Sequence, residues 1–154
     1  MPLIKASNLL LDTNVWLDYF LAAGPHLASI ERLVELRFDG KISLMYAPTT
    51  AKDLFCLIPR RLRRLDADGA GKPPSTYAPA AWACVERLME IAFASPLSFA
   101  ECELARMMRS SFDDFEDNLV IASGGNRTCR LRGDRRQSDA RGIPGVLHHP
   151  RTRD

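Results

Sequence analysis

The architecture of this chain follows from one segment, Leu9-Leu10-Leu11-Asp12-Thr13-Asn14-Val15-Trp16-Leu17-Asp18. Its three consecutive leucines are typical of a short strand buried on both faces, as in a parallel sheet flanked by helices. The apolar residues that follow recur at helical spacing, so Asp12 lies at the turn between a strand and a helix. Ligands of open α/β sheets bind beyond the carboxyl ends of the strands, which makes Asp12 a candidate functional residue. The alternative is that Asp12 or Asn14 only caps the helix.

The same unit of apolar strand, sharp turn and helix recurs along the chain. Beyond the first unit, the patterns predict helices over residues 27–36, 80–91, 98–108 and 112–123, a strand over 42–47, a helix that opens at 48–50, and a short edge strand within 93–97. The helix at residue 98 opens with a Ser98-x-x-Glu101 capping box. Residues 66–79, rich in Gly, Pro and Ala, are predicted to be a mobile loop. The alternation predicts an α/β fold, a parallel sheet with helices on both sides.

Length and composition place the chain among globular proteins. Its 154 residues suffice for one domain with a full core. The four cysteines form no Cys-x-x-Cys pair, which favours reduced thiols over a zinc site. The sequence contains neither a leader-like start nor eighteen consecutive apolar residues, so we expect a cytoplasmic protein without a membrane partner.

The charge is divided unevenly along the chain. Residues 124–154 carry eight arginines and three aspartates, a net +5, which leaves −3 on residues 1–123 from the overall +2. The apolar residues of the second part follow neither period two nor period 3.6. We therefore expect a domain over residues 1–123 and a basic, irregular tail over 124–154. Arginine-rich segments usually indicate contact with nucleic acid.

Acidic residues occur close to the starts of three predicted helices. Asp12 follows the first strand, Asp53 follows the second, and residues 113–117 contain four acids among five positions. Each has a structural explanation: Asp53 fits a Thr50-x-x-Asp53 capping box, and acids in a first helical turn complement the helix dipole. Capping does not explain why three separate units place carboxylates where the ends of parallel strands would gather them. Hard oxygen ligands without histidine or thiolate favour Mg²⁺ or Mn²⁺, and hence phosphodiester hydrolysis.

These motifs together resemble the PIN domain, including the ribonuclease toxins of bacterial toxin–antitoxin pairs. The resemblance rests on Asp12-Thr13-Asn14 after an apolar strand, on an acid in the helix after the second strand, and on Phe115-Glu116-Asp117 leading into Leu119-Val120-Ile121-Ala122. It implies metal-dependent cleavage of single-stranded RNA, with an antitoxin and a second copy of the chain as further partners. The matching catalytic and metal-binding positions are Asp12, Asp53 and Asp117, supported by Thr13 and Asn14, with Asp114 as a further ligand acting through water.

The chain departs from the family after the last predicted helix. The resemblance implies a final strand similar to Ala-Asp-Tyr-Val-Val-Thr-Asp-Asp, whose acids complete the metal site. The corresponding residues 129–136 are predicted not to form a buried strand, so the first strand would be left with an open apolar edge that favours dimerisation. Synonymous codons exist for residues 129–136 that, when read one base later, encode Ala-Asp-Tyr-Val-Val-Thr-Asp and the beginning of another Asp or Glu. The tail is therefore either a native irregular segment or a frameshift product beginning near Gly124-Gly125, and Asp134 is not assigned as a ligand.

Two further groups of residues have alternative interpretations. Arg60, Arg61, Arg63 and Arg64 either contact RNA phosphates or form a solvated helix end. Trp16 and Trp82 have apolar neighbours, which favours the core over a base-stacking role.

The leading hypothesis is a metal-dependent endoribonuclease. The alternative is a catalytically impaired PIN-fold module that binds RNA or a protein. A phosphatase of the haloacid dehalogenase type also has an Asp after its first strand, but it requires a second Asp where this chain has Asn14.

Overall fold

The computed structural model describes residues 7–124 and the short segment 128–131. In chain order, the elements are β1 (Ser7–Leu11), α1 (Thr13–Phe20), α2 (Leu27–Phe38), β2 (Ile42–Tyr46), α3 (Pro48–Leu65), α4 (Ala78–Ile91), β3 (Phe93–Ala94), α5 (Phe99–Met107), α6 (Phe115–Gly124) and β4 (Thr128–Leu131). Short 3-10 turns lie at Gly69–Gly71, Pro74–Tyr77 and Met108–Ser110.

The four strands form one parallel sheet in the order β3-β2-β1-β4. Leu10 of β1 pairs with Met45 of β2, so the two strands end at the same level. Asp12 and the first residues of α3 therefore share one edge of the sheet. The predicted α/β class and parallel sheet are confirmed.

Burial of the strand residues explains why the leucine run organises the fold. Leu11 of β1 and Leu44 of β2 are completely buried, and Leu10 is nearly so. Helix α1 packs Trp16, which is also completely buried, into the same core. Each such side chain contributes about 1.5–3 kcal/mol by leaving water. The core thus fixes the strand end at which Asp12 lies.

The helix boundaries follow local signals in the sequence. Helix α2 is followed by Gly40, whose φ of +71° lies in the left-handed region that glycine tolerates. Ser98 and Glu101 form both bonds of the predicted capping box at the start of α5. Helix α3 begins with Pro48 at its first position and continues through Pro59. The predicted capping box and the predicted start of α3 are confirmed.

The expectation that β1 lacks a neighbour on its outer side is wrong. Residues Thr128–Leu131 form β4, and Leu11 of β1 pairs with Leu131. The backbone of a short segment can complete the hydrogen bonds of an open edge even where its side-chain pattern gives no strand signal, because tertiary context overrides local preference. Residues 132–154 lie outside the described residues, so the domain division, Asp134 and the proposed frameshift stay predictions.

Trp82 of α4, a predicted core residue, is exposed instead, as is its neighbour on the next turns, Met89. Trp82 is 57% exposed and Met89 is 58% exposed. The buried face of α4 consists of Ala81, Val85, Leu88 and Ile91. Trp82 lies one position beyond that face and packs edge-to-face against Phe55 of α3, with ring centroids 5.0 Å apart.

The segment predicted as a mobile loop after α3 is anchored by side-chain bonds. Asp66 accepts from Lys72 Nζ at 2.6 Å, from Tyr77 Oη at 2.7 Å and from the amide of Asp68 at 3.0 Å. Arg63 donates to the carbonyl of Gly69 at 2.8 Å. A side chain at Gly69 would place its Cβ 2.0 Å from the Arg63 carbonyl oxygen, so this close approach requires glycine.

Candidate active site

Asp12 is the residue that connects β1 to α1, and its carboxylate is not used to cap the helix. It occupies the N-cap position of α1, yet its side chain makes no capping hydrogen bond. Its backbone carbonyl accepts from the amides of Val15 and Trp16 at 3.0 and 3.2 Å. Asn14 Nδ2 instead donates to Asp12 Oδ2 at 3.4 Å. The capping explanation does not hold for the Asp12 side chain, and Asn14 helps to orient it.

A hydrogen bond between two threonines joins the start of α1 to the start of α3. Thr13 Oγ1 donates to Thr50 Oγ1 at 3.1 Å. Thr50 is completely buried, and it does not cap α3, because the N-cap of that helix is Ala47. The capping box predicted for Thr50 and Asp53 is therefore wrong. Asp53 lies in the second turn of α3, one turn beyond Thr50.

Asp53 forms a carboxyl pair with Glu116 of α6. Burial raises the pKa of the Asp53 carboxyl above its usual value, the neighbouring Lys52 ammonium opposes this effect, and Glu116 adds to it through a hydrogen bond and charge repulsion. Lys52 Nζ lies 3.1 Å from Asp53 Oδ1, and the Asp53 side chain is 19% exposed. Two acids from separate helices thus meet beside one lysine.

The other acids of the 113–117 run have distinct positions. Asp114 Oδ1 accepts from the amides of Glu116 and Asp117 at 2.9 and 3.2 Å, which caps α6. Asp117 is half-buried in the first turn of that helix, and Asp113 is exposed. Asp114 therefore has a structural role as a cap. Its predicted role as a metal ligand, like that of Asp117, stays a prediction.

The predicted three-carboxylate centre is not preformed within the described part of the chain. Among those residues, no group of three or more His, Cys, Asp or Glu side chains is spaced to hold a metal ion. The contact that the structure does show, between Asp53 and Glu116, involves an acid for which the sequence predicts no individual role. Thr50 and Lys52 were likewise unassigned. The dense acid run was the available signal for Glu116, whereas nothing local distinguishes Lys52.

The arginines at the end of α3 divide into two roles. Arg63 binds the loop that follows α3, since it donates hydrogen bonds to the carbonyls of Gly69 and Ala70. Arg60, Arg61 and Arg64 are exposed. Arg60 and Arg64 follow Asp53 by seven and eleven positions, a spacing that places all three on one face of an α-helix.

Comparison with known proteins identifies the family. The model of the PIN domain matches residues 8–129, which covers β1 and most of the sheet and helices described above. The chain belongs to the PIN domain family, whose members share a nuclease-type fold and generally use divalent metal ions. A search among curated proteins found no match to this chain.

Proposed function

We propose that this protein is an endoribonuclease that requires Mg²⁺ or Mn²⁺ and hydrolyses phosphodiester bonds of single-stranded RNA. The observation that carries the proposal is the contact between the carboxyl groups of Asp53 and Glu116. The charge of Glu116 disfavours the ionised form of Asp53, and a hard divalent cation relieves such repulsion. Asp12 lies at the strand end where α/β folds bind ligands, and its side chain is not used as a cap.

The oxygen donors at this edge fit a hard cation in their chemistry. We propose Asp12, Asp53 and Asp117 as the catalytic metal ligands, with Asp114 and Glu116 as further oxygen donors. When bound, such an ion supplies an activated water and stabilises the negative charge of the transition state. Asn14 holds the Asp12 carboxylate through its amide, and Thr13 anchors the turn to α3. These residues orient the donors before substrate binds.

Two of the exposed arginines of α3, Arg60 and Arg64, are proposed to bind the RNA backbone. Arg60 and Arg64 lie on the same face of α3 as Asp53. An RNA strand that reaches Asp53 can therefore pass over both arginines. Arginine binds phosphate through charge and paired hydrogen bonds. Arg61 is exposed on another face, and the loop contacts of Arg63 favour a structural role.

The biological setting is proposed from the family resemblance. A ribonuclease toxin of a toxin–antitoxin pair would act in the cytoplasm and bind an antitoxin, and a homodimer would bury further surface. Helix α5 exposes Phe99 to 81% and Met107 to 70%, an apolar surface that supports a protein partner. Within the described residues, no helix combines the length and apolar character needed to cross a membrane.

A second candidate function is a catalytically impaired module that binds RNA or a protein. The observation that favours it is the lack of a preformed three-carboxylate group among the described residues. Lys52 also pairs with Asp53, which supplies a positive charge without any metal.

An RNA cleavage assay separates the two functions. Labelled single-stranded RNA is incubated with the full chain and Mn²⁺ or Mg²⁺, with EDTA as the metal-free arm. Asp12→Asn and Asp53→Asn each keep the size of the side chain and remove a charged ligand. Asp39→Asn is the matched control, because Asp39 is an exposed acid at the other end of β2 that pairs with Lys41.

The nuclease proposal expects metal-dependent cleavage that falls at least a hundredfold in Asp12→Asn and Asp53→Asn and is unchanged in Asp39→Asn. Binding of RNA without cleavage by the wild-type protein would establish the second candidate instead. Cleavage that survives both substitutions would overturn the assignment of the site.

A further inference from the structure

The hydrogen bond between Thr13 and Thr50 connects the two elements that bear Asp12 and Asp53. Thr13 is the first residue of α1 and directly follows Asp12. Thr50 precedes Asp53 by three positions, so the two lie on adjacent turns of α3. The oxygen atoms are 3.1 Å apart, and 37 residues separate the threonines along the chain. One hydrogen bond thus joins the two elements that carry these proposed catalytic carboxylates.

Local structure does not account for a hydroxyl group at position 50. Thr50 lies on the face of α3 that also buries Leu54 and Ile58, and all three side chains are almost completely inaccessible. An apolar residue of the same shape would satisfy that packing, since a buried hydroxyl stabilises the fold only when it has a partner. The partner of Thr50 lies on the β1–α1 turn and not on its own helix.

We infer that Thr50 is a positioning residue, which sets the separation of Asp12 and Asp53 through its hydrogen bond to Thr13. The described bonds around Asp12 from Asn14, Val15 and Trp16 are local to the β1–α1 turn. They shape that turn but do not tie it to α3, whereas the threonine pair does. The inference rests on the proposed function, because positioning matters only if the two carboxylates act together.

Substitutions at both ends of the bond test this inference. Thr50→Val preserves shape and removes the hydroxyl, whereas Thr50→Ser retains the hydroxyl and removes a methyl group. Thr13→Val removes the same hydrogen bond by changing Thr13, which is only half-buried. This variant therefore remains informative if Thr50→Val fails to fold. Ser123→Ala is the matched control, because Ser123 is a buried residue whose hydroxyl donates to Val120 within its own helix.

Two measurements are made on each variant. Calorimetry gives the affinity of the metal-free protein for Mn²⁺, and cleavage of single-stranded RNA at saturating Mn²⁺ gives kcat and KM. We expect Thr50→Val to weaken Mn²⁺ binding and to lower kcat by about tenfold or more, with KM for RNA unchanged. Thr50→Ser should retain both properties, and Ser123→Ala should match the wild type. Thr13→Val combined with Thr50→Val should be no worse than either alone, since one bond is lost in all three.

The possible failures are distinguishable. A wild-type protein that cleaves RNA while Thr50→Val remains equally active overturns the inference and leaves the proposed function standing. Equal losses in Thr50→Val and Thr50→Ser also overturn it, since packing would then be the cause. A wild-type protein that neither binds Mn²⁺ nor cleaves RNA overturns both the proposed function and the inference.

Discussion

Asp53 of α3 and Glu116 of α6 lie close enough for a hydrogen bond between their carboxyl groups. Lys52 lies beside the pair, with its ammonium nitrogen 3.1 Å from Asp53 Oδ1. The pKa of Lys52 is raised, first by its hydrogen bond and charge interaction with Asp53 and to a smaller extent by Glu116. Lys52 thus supplies positive charge to a carboxylate that would hold the divalent ion if one were bound.

Replacing Lys52 should therefore strengthen metal binding. Lys52 is 72% exposed, so solvent screens its attraction to Asp53 and its competition with the ion is weak. We expect Lys52→Met to bind Mn²⁺ about two- to fivefold more tightly in calorimetry without RNA. Lys41→Met is the control, since it breaks an exposed ion pair with Asp39 of similar geometry. Weaker binding by Lys52→Met would show that Lys52 does not compete with the ion.

Only those residues of the candidate site whose positions depend on local sequence could be predicted. Asp12 follows an apolar strand, and Asp53 follows the next one, so both could be placed at the same edge from the chain alone. The choice of Glu116 as the contact of Asp53 depends on where the tertiary fold places the start of α6, which no local pattern encodes. The same holds for Thr50, whose hydroxyl looks like a cap until the structure shows that α3 begins at Pro48.

The arginines on the Asp53 face of α3 should affect RNA binding more than the neighbouring arginine does. We expect Arg60→Ala and Arg64→Ala each to raise KM for RNA several-fold with kcat unchanged, because they contact the backbone away from the bond that is cleaved. Each should also reduce the salt dependence of RNA affinity, by a slope of about 0.7 per lost phosphate contact. Arg61→Ala is the control of equal charge. Equal effects of all three substitutions would indicate a general charge effect instead of a defined path.

Asp66 should titrate far below an ordinary aspartate. Its hydrogen bonds from Lys72, Tyr77 and the amide of Asp68, in that order of effect, lower its pKa to about 2. A carboxyl pKa lowered by folding stabilises the native state fully above the normal value of 3.8, and this contribution is lost as the pH falls towards 2. Carboxyl NMR should give a midpoint near 2, and Lys72→Met should raise it. A midpoint at the ordinary value would contradict the anchoring of the loop by Asp66.

The same anchoring predicts a difference in protease sensitivity at neutral pH. Asp66→Asn removes the charge that holds Lys72, so cleavage between residues 66 and 77 should accelerate. Asp68→Asn is the control, because Asp68 contributes its backbone amide, which the substitution retains. Equal cleavage rates in the two variants would show that Arg63 and the backbone bonds hold this segment without Asp66.

Much of the fold followed from short-range patterns, and its last strand did not. The leucine run predicted β1, and Ser98-x-x-Glu101 predicted the start of α5, because burial and capping leave direct traces in the sequence. Strand β4 has no such trace, since its pairing is set by the open edge of β1 and not by its own residues. Trp82 was misplaced for a related reason. An apolar residue one position off a helical stripe packs against whatever lies beside it, here the ring of Phe55.

The two tryptophans should differ sharply in their effect on stability. Trp16 is completely buried in the core beside Phe20, whereas Trp82 is 57% exposed. We expect Trp16→Ala to lower the free energy of unfolding by about 3–5 kcal/mol, the range for large aromatic side chains removed from a core. Trp82→Ala loses only its contact with Phe55 and part of its burial, so the loss should be about 1 kcal/mol. Urea unfolding followed by circular dichroism measures both. Similar losses would mean that Trp82 is covered in solution, for example by a second copy of the chain, and the dependence of the midpoint on protein concentration would show this.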